Sequence, residues 1–93
     1  MIVCEGERCS VQGALTMTNV TAVLEESKRA FQGPRIVVDL SGVTEVDSAA
    51  LSLLLEWRRI AAAEKRAIEY TNLPPNLRTL ADLYGVAELL PAS

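Results

Sequence analysis

Residues 8–15 alternate in polarity, with Cys9, Val11, Gly13 and Leu15 on one side and Arg8, Ser10, Gln12 and Ala14 on the other. A period of two marks a strand with one buried face. Residues 1–5 read as a short strand before it, joined through the turn Glu5-Gly6-Glu7. The period then changes. Val20, Val23, Leu24, Ser27, Ala30 and Phe31 follow the i, i+3, i+4, i+7 spacing of a helix that starts near Thr18 or Asn19 and ends at Gly33-Pro34. Arg35 to Leu40 is β-branched and almost wholly apolar, as in a central strand, and runs into a polar turn. From about Ser48 to Lys65 the helical period returns, with Ala50, Leu53, Leu54, Trp57, Ile60 and Ala61 as the core stripe. Residues 67–73 alternate again, giving the last strand. Leu73-Pro74-Pro75 opens a third helix with the stripe Leu77, Leu80, Ala81 and Tyr84, closed by Gly85 and followed by the short apolar tail Val86 to Pro91.

The order is ββαβαβα, an α/β fold. Strand–helix–strand units require parallel strands with right-handed crossovers, so the expectation is a mostly parallel four-stranded sheet with its helices mainly on one face. Val37 then lies exposed near mid-sheet. Ninety-three residues, 1–93, make a single small domain. With 49% apolar and 23% charged residues the chain has material for a packed core. A net charge of −3, with basic residues scattered singly or in pairs, is not a nucleic-acid footprint. No apolar run approaches the ~20 residues that span a bilayer, and the N-terminus does not read as a signal peptide. The expectation is a cytoplasmic protein, with Cys4 and Cys9 as reduced thiols on neighbouring strands; a cross-strand disulfide is geometrically possible there.

The richest point for chemistry is Asp47-Ser48, which enters the second helix. A helix N-terminus leaves N–H groups unpaired and carries partial positive charge, so Ser48 is placed to cap the helix, to contact a partner or to accept a phosphate. Ser48, Ser52, Glu56, Arg59 and Arg66 fall opposite the core stripe, and Leu51, Leu55 and Ala62 make a second apolar strip beside them. That strip is either a docking surface or the contact with a neighbouring helix. Trp57 is expected in the core. Catalysis has no support. There is no P-loop and no G-x-G-x-x-G, and without His there is no base for Ser48. Two Cys do not complete a zinc site, and Asp39, Glu45 and Asp47 match no calcium loop; turn hydrogen bonding is their expected role. No metal or cofactor is implied.

The run Val38-Asp39-Leu40-Ser41-Gly42-Val43-Thr44-Glu45-Val46-Asp47-Ser48-Ala49-Ala50-Leu51 resembles the signature of STAS domains, as do Gly13-Ala14-Leu15-Thr16 and the order of elements over nearly the whole chain. Two branches of that family are similar to it. In anti-sigma factor antagonists a Ser at the position of Ser48 is phosphorylated by a partner kinase, and a Gly-containing pair usually follows, where this chain has Ala49-Ala50. In the MlaB type the domain is a small cytoplasmic subunit of an ABC transporter that moves phospholipids. The aliphatic run Leu51 to Leu55 and the ending Leu80-Ala81-Asp82-Leu83-Tyr84-Gly85-Val86-Ala87-Glu88-Leu89-Leu90-Pro91 resemble the second branch. The resemblance implies a non-enzymatic accessory subunit that binds the transporter's ATPase through Ser48, Leu51, Ser52, Leu55 and Arg59, with Asp47 orienting the loop. Any membrane association would then be indirect, through the transporter at the inner membrane. The alternative partner is an anti-sigma serine kinase, with Ser48 as phosphoacceptor.

Overall fold

The structure is a computed structural model and describes residues 1–90. Strands β1 (Ile2–Glu5) and β2 (Arg8–Leu15) form an antiparallel hairpin. Its two-residue turn needs a left-handed residue, and Gly6 supplies it at φ +61°. This register sets Cys4 opposite Cys9, Cα atoms 4.0 Å apart, and the two sulfurs are bonded. The expectation of reduced thiols is corrected here: directly opposed residues of an antiparallel pair project from the same face, so the register makes the two cysteine side chains neighbours.

Helix α1 (Val20–Ala30) crosses to β3 (Arg35–Val46), helix α2 (Ser48–Ala63) to β4 (Ala67–Thr71), and α3 (Pro75–Leu83) with a 3-10 turn at Ala87–Leu89 closes the described chain. The sheet order is β1-β2-β3-β4, with β2, β3 and β4 parallel, as the crossovers require. One expectation changes. The polar turn after Leu40 is strand, because Ser41–Val46 continues beside Gln12–Leu15 as far as Leu15↔Val46. Val43, Thr44 and Val46 are β-branched and suit that conformation. The two strands run close at Gly42, where a Cβ would lie 3.0 Å from Gln12 Cγ and 3.2 Å from the Val11 carbonyl oxygen. The last strand also ends earlier than the alternation suggests, at Thr71, where Asn72 turns away at φ +58°.

The core lies between one face of the sheet and the helices. Val11, Leu15, Ile36, Val38, Leu40 and Tyr70 rise from the strands to meet Val23, Phe31, Leu53, Leu54, Trp57 and Leu77. Trp57 is buried as expected. Its indole Nε1 donates to Ser27 Oγ at 2.8 Å, and that hydroxyl donates to the Leu24 carbonyl at 2.6 Å. The Tyr70 hydroxyl donates to the Leu54 carbonyl at 2.6 Å, and burial pushes its phenol far above the ordinary tyrosine value. Tyr84 departs from the expected stripe and is 57% exposed, because α3 stops at Leu83 and Tyr84 falls beyond it. Pro91, the end of the expected tail, lies outside the described residues.

Charged side chains cover the opposite face. Arg35 reaches Glu69 at 2.7 Å and Arg8 reaches Asp39 at 2.7 Å, both across strands. Their stems leave Val37 half-buried where the sequence implied exposure. Asp39 also accepts from Ser41 N at 2.9 Å and Asn72 Nδ2 at 3.1 Å. Burial would raise its carboxyl, but the bonds from Ser41, Asn72 and Arg8 outweigh that and hold it well below the usual carboxylate range.

Candidate functional site

The entrance to α2 is built by Asp47. Its Oδ1 accepts from Ala49 N at 2.8 Å, the N-cap bond, and its Oδ2 accepts from Met17 N at 3.0 Å. One carboxylate thus satisfies an orphan donor of the helix and pins the loop between β2 and α1. Asn19 stiffens that loop, accepting from Thr16 N at 2.7 Å through Oδ1 and donating to the Ala14 carbonyl through Nδ2. The cap is therefore Asp47 and not Ser48. Ser48 is the first helical residue, exposed, and its Oγ has no hydrogen-bond partner among the described residues. Its carbonyl accepts a 3.5 Å contact from Ser52 Oγ one turn on.

Beside Ser48 a groove of about 370 Å³ runs between α1 and α2. Met17, Val20 and Leu24 form one wall; Ala49 and Leu53 form the floor and the other wall; Ser48, Ser52, Thr21 and Glu56 make the rim. Met17 is 76% exposed, a large apolar side chain held in solvent by the backbone bond to Asp47. At the far end Arg59 holds Glu56 through Nε at 2.9 Å and Nη2 at 2.7 Å, and this bond, with Lys28 farther off, draws the Glu56 carboxyl down.

The structure thus divides the residues picked from sequence. Asp47, Ser48 and Ser52 come together at the groove, and Arg59 reaches its rim through Glu56. Leu51 and Leu55 do not join them. Leu51 is 4% exposed and belongs to the core, and Leu55 is half-buried against it. The reason is the place of α2, which packs against α1 on one flank and α3 on the other. Leu53 faces α1, and Leu51 lies about 160° round the helix from it, on the flank away from α1. Of the second apolar strip, Leu51 and Leu55 are thus taken up by the core, and Ala62 stays exposed.

Met17, Val20 and Leu24 join the site from outside the residues to which the sequence points. The signal for Met17 was present, since it stands between Thr16 and Thr18 where nothing local calls for an apolar residue. Val20 and Leu24 look like ordinary core positions in a helical stripe, and only the neighbouring helix shows that they line a groove. Among the described residues no group of three His, Cys, Asp or Glu stands ready for a metal, and the carboxylates of Asp39 and Asp47 are already engaged. No described helix is long and apolar enough to cross a membrane.

A family model described as the Mlab STAS domain matches residues 5–91. No curated protein matches the chain. Among solved structures, the anti-sigma factor antagonist SpoIIAA in its unphosphorylated form is similar over 100% of this chain and 86% of its own, at TM-score 0.73 and 18% identity. A structure of Mglu is similar over 81% of this chain but only 19% of that one, at TM-score 0.62 and 24% identity. At these identities the likenesses speak for the fold: a mixed four-stranded sheet with three helices, shared with SpoIIAA.

Proposed function

The chain belongs to the Mlab STAS domain family, and from that premise we propose that it is a non-enzymatic accessory subunit that docks on the ATPase of an ABC transporter for phospholipids. The observation that carries this reading is the apolar groove beside an exposed Ser48, rigidly framed by Asp47. A groove walled by Met17, Val20 and Leu24 gains by taking an apolar side chain from a partner, at roughly 25 cal/mol per Å² of apolar surface removed from water. Ser48 and Ala49 are small and let a partner approach the helix end closely. The ATPase supplies the nucleotide site that this sequence lacks. The subunit sits at the cytoplasmic face of the membrane and touches lipid only through the transporter.

The test is co-purification with the cognate ATPase, followed by its rate of ATP hydrolysis. Ser48→Arg fills the groove mouth, and the expected result is loss of both binding and any stimulation with an unchanged melting temperature. Ser48→Ala keeps both. Full binding by folded Ser48→Arg would remove this surface from the interface.

One observation favours a second reading. The Ser48 hydroxyl is exposed and free of partners among the described residues, as a phosphoacceptor must be. In that case the chain is an anti-sigma factor antagonist controlled by a serine kinase. Intact mass after incubation with such a kinase and ATP separates the two readings: one added phosphate, absent in Ser48→Ala, supports the second, and no addition rejects it.

A further inference from the structure

β3 is flanked unequally. On one side β2 accompanies it to Leu15↔Val46; on the other, β4 stops at Thr71, opposite Asp39. From Ser41 onward β3 has a strand on one side only. The chain leaves β4 through Asn72 and then Pro74 and Pro75, and the prolines have no N–H with which to extend the ladder. Ser41 N is already taken by Asp39 Oδ1, so the unpaired edge starts at Gly42. Beside it lies a groove of about 370 Å³, walled by Leu40 and Val43 on one side and Leu73, Pro74 and Pro75 on the other.

An open strand edge offers main-chain donors and acceptors to an extended chain, and an adjoining apolar groove receives that chain's alternate side chains. We propose that Gly42–Val46 takes up an extended segment of the protein partner as an added strand, in the position that β4 leaves vacant. Charge specifies the segment further. Residues 36–57 and 67–77 contain no Lys or Arg, whereas Glu45 is exposed on the edge itself, so the segment carries basic residues beside its apolar ones. The edge runs directly into Asp47-Ser48, so a partner seated on the α1–α2 groove has it within about 15 Å, at ~3.3 Å per residue. The inference rests on the protein-partner reading above and adds a second, main-chain mode of attachment.

Hydrogen–deuterium exchange of the full chain, alone and with the transporter ATPase, tests it. The expected result is at least tenfold slower exchange in Gly42–Val46 on binding, together with slowing in Met17–Leu24. Slowing in Met17–Leu24 alone overturns this inference and leaves the docking reading standing. No slowing anywhere overturns both. Slowing of Gly42–Val46 without the ATPase that grows with protein concentration assigns the edge to a second copy of this chain and also overturns it. Val43→Pro and Thr44→Pro serve as a second test. The ladder with β2 shifts register between Gly13↔Val43 and Ala14↔Glu45 and leaves Thr44 without a partner on β2, so Val43→Pro falls at a paired position of that ladder and Thr44→Pro does not. The variant that keeps its circular dichroism and melting temperature is expected to bind the ATPase at least tenfold more weakly. Wild-type affinity in that variant overturns the proposal.

Discussion

Asp47→Ala tests the claim that one carboxylate builds the site. The substitution removes the N-cap bond from Ala49 N at 2.8 Å and the bond from Met17 N at 3.0 Å. Loss of a cap costs about 1 kcal/mol. The bond from Met17 N goes to a charged acceptor, which contributes about 1.5 kcal/mol at the low end of its range because the loop meets solvent. The sum is about 2–3 kcal/mol. In a domain of this size each kcal/mol moves the melting temperature by about 4–8 °C, so the expected drop is about 10–20 °C. Asp47→Asn keeps an oxygen for Ala49 N but turns an NH₂ toward Met17 N, and is expected to lose about half as much. Ser48→Ala removes a hydroxyl with no partner among the described residues and is expected to stay within about 0.5 kcal/mol of wild type. Urea unfolding followed by Trp57 fluorescence measures all three, with the slope checked for constancy. Equal losses for Ser48→Ala and Asp47→Ala would refute the reasoning and return the cap to Ser48.

Asp39 makes stability depend on acid. Its folded carboxyl is depressed, so its contribution is fully present above the unfolded value of about 4 and is lost as pH falls below it toward the folded value. Urea midpoints taken from pH 6 to pH 2 are expected to fall more steeply for wild type than for Asp39→Asn; parallel curves would contradict this. Ser27→Ala leaves the buried Trp57 indole N–H without its acceptor and is expected to cost about 1–3 kcal/mol by the same measurement, with an unchanged midpoint counting against that bond. Leu51→Ala is expected to cost about 2–5 kcal/mol as a core truncation, and Leu55→Ala clearly less. A Leu51→Ala variant that unfolds like wild type would return Leu51 to the surface.

The elements with a clean period were legible in the sequence: the alternation of residues 8–15, the stripe from Val20 to Phe31, and the run from Ala50 to Ala61. What could not be read depends on neighbours distant in the chain. Ser41-Gly42 and Thr44-Glu45 look like a turn until Gln12–Leu15 pairs with them. Leu51 looks like a surface residue if α2 is taken to bury a single stripe, but a helix between two others buries both flanks as well. The choice between Asp47 and Ser48 as cap turns on Met17 N, thirty residues earlier, which gives Asp47 a second donor to bind. The Cys4–Cys9 pairing was legible as geometry, and the expected compartment argued against it. The groove itself was not legible, because Val20 and Leu24 satisfy the same pattern whether they are covered or open.

The most direct test of the central claim is an affinity titration of the full chain against the purified transporter ATPase, comparing wild type with Leu24→Arg. Leu24 walls the groove from α1 without contributing to the Asp47 cap, so a change there reports on docking and not on the helix entrance. The expected result is saturable one-to-one binding for wild type and at least hundredfold weaker binding for a folded Leu24→Arg. Equal affinity for the two, or no binding by wild type, would contradict the account.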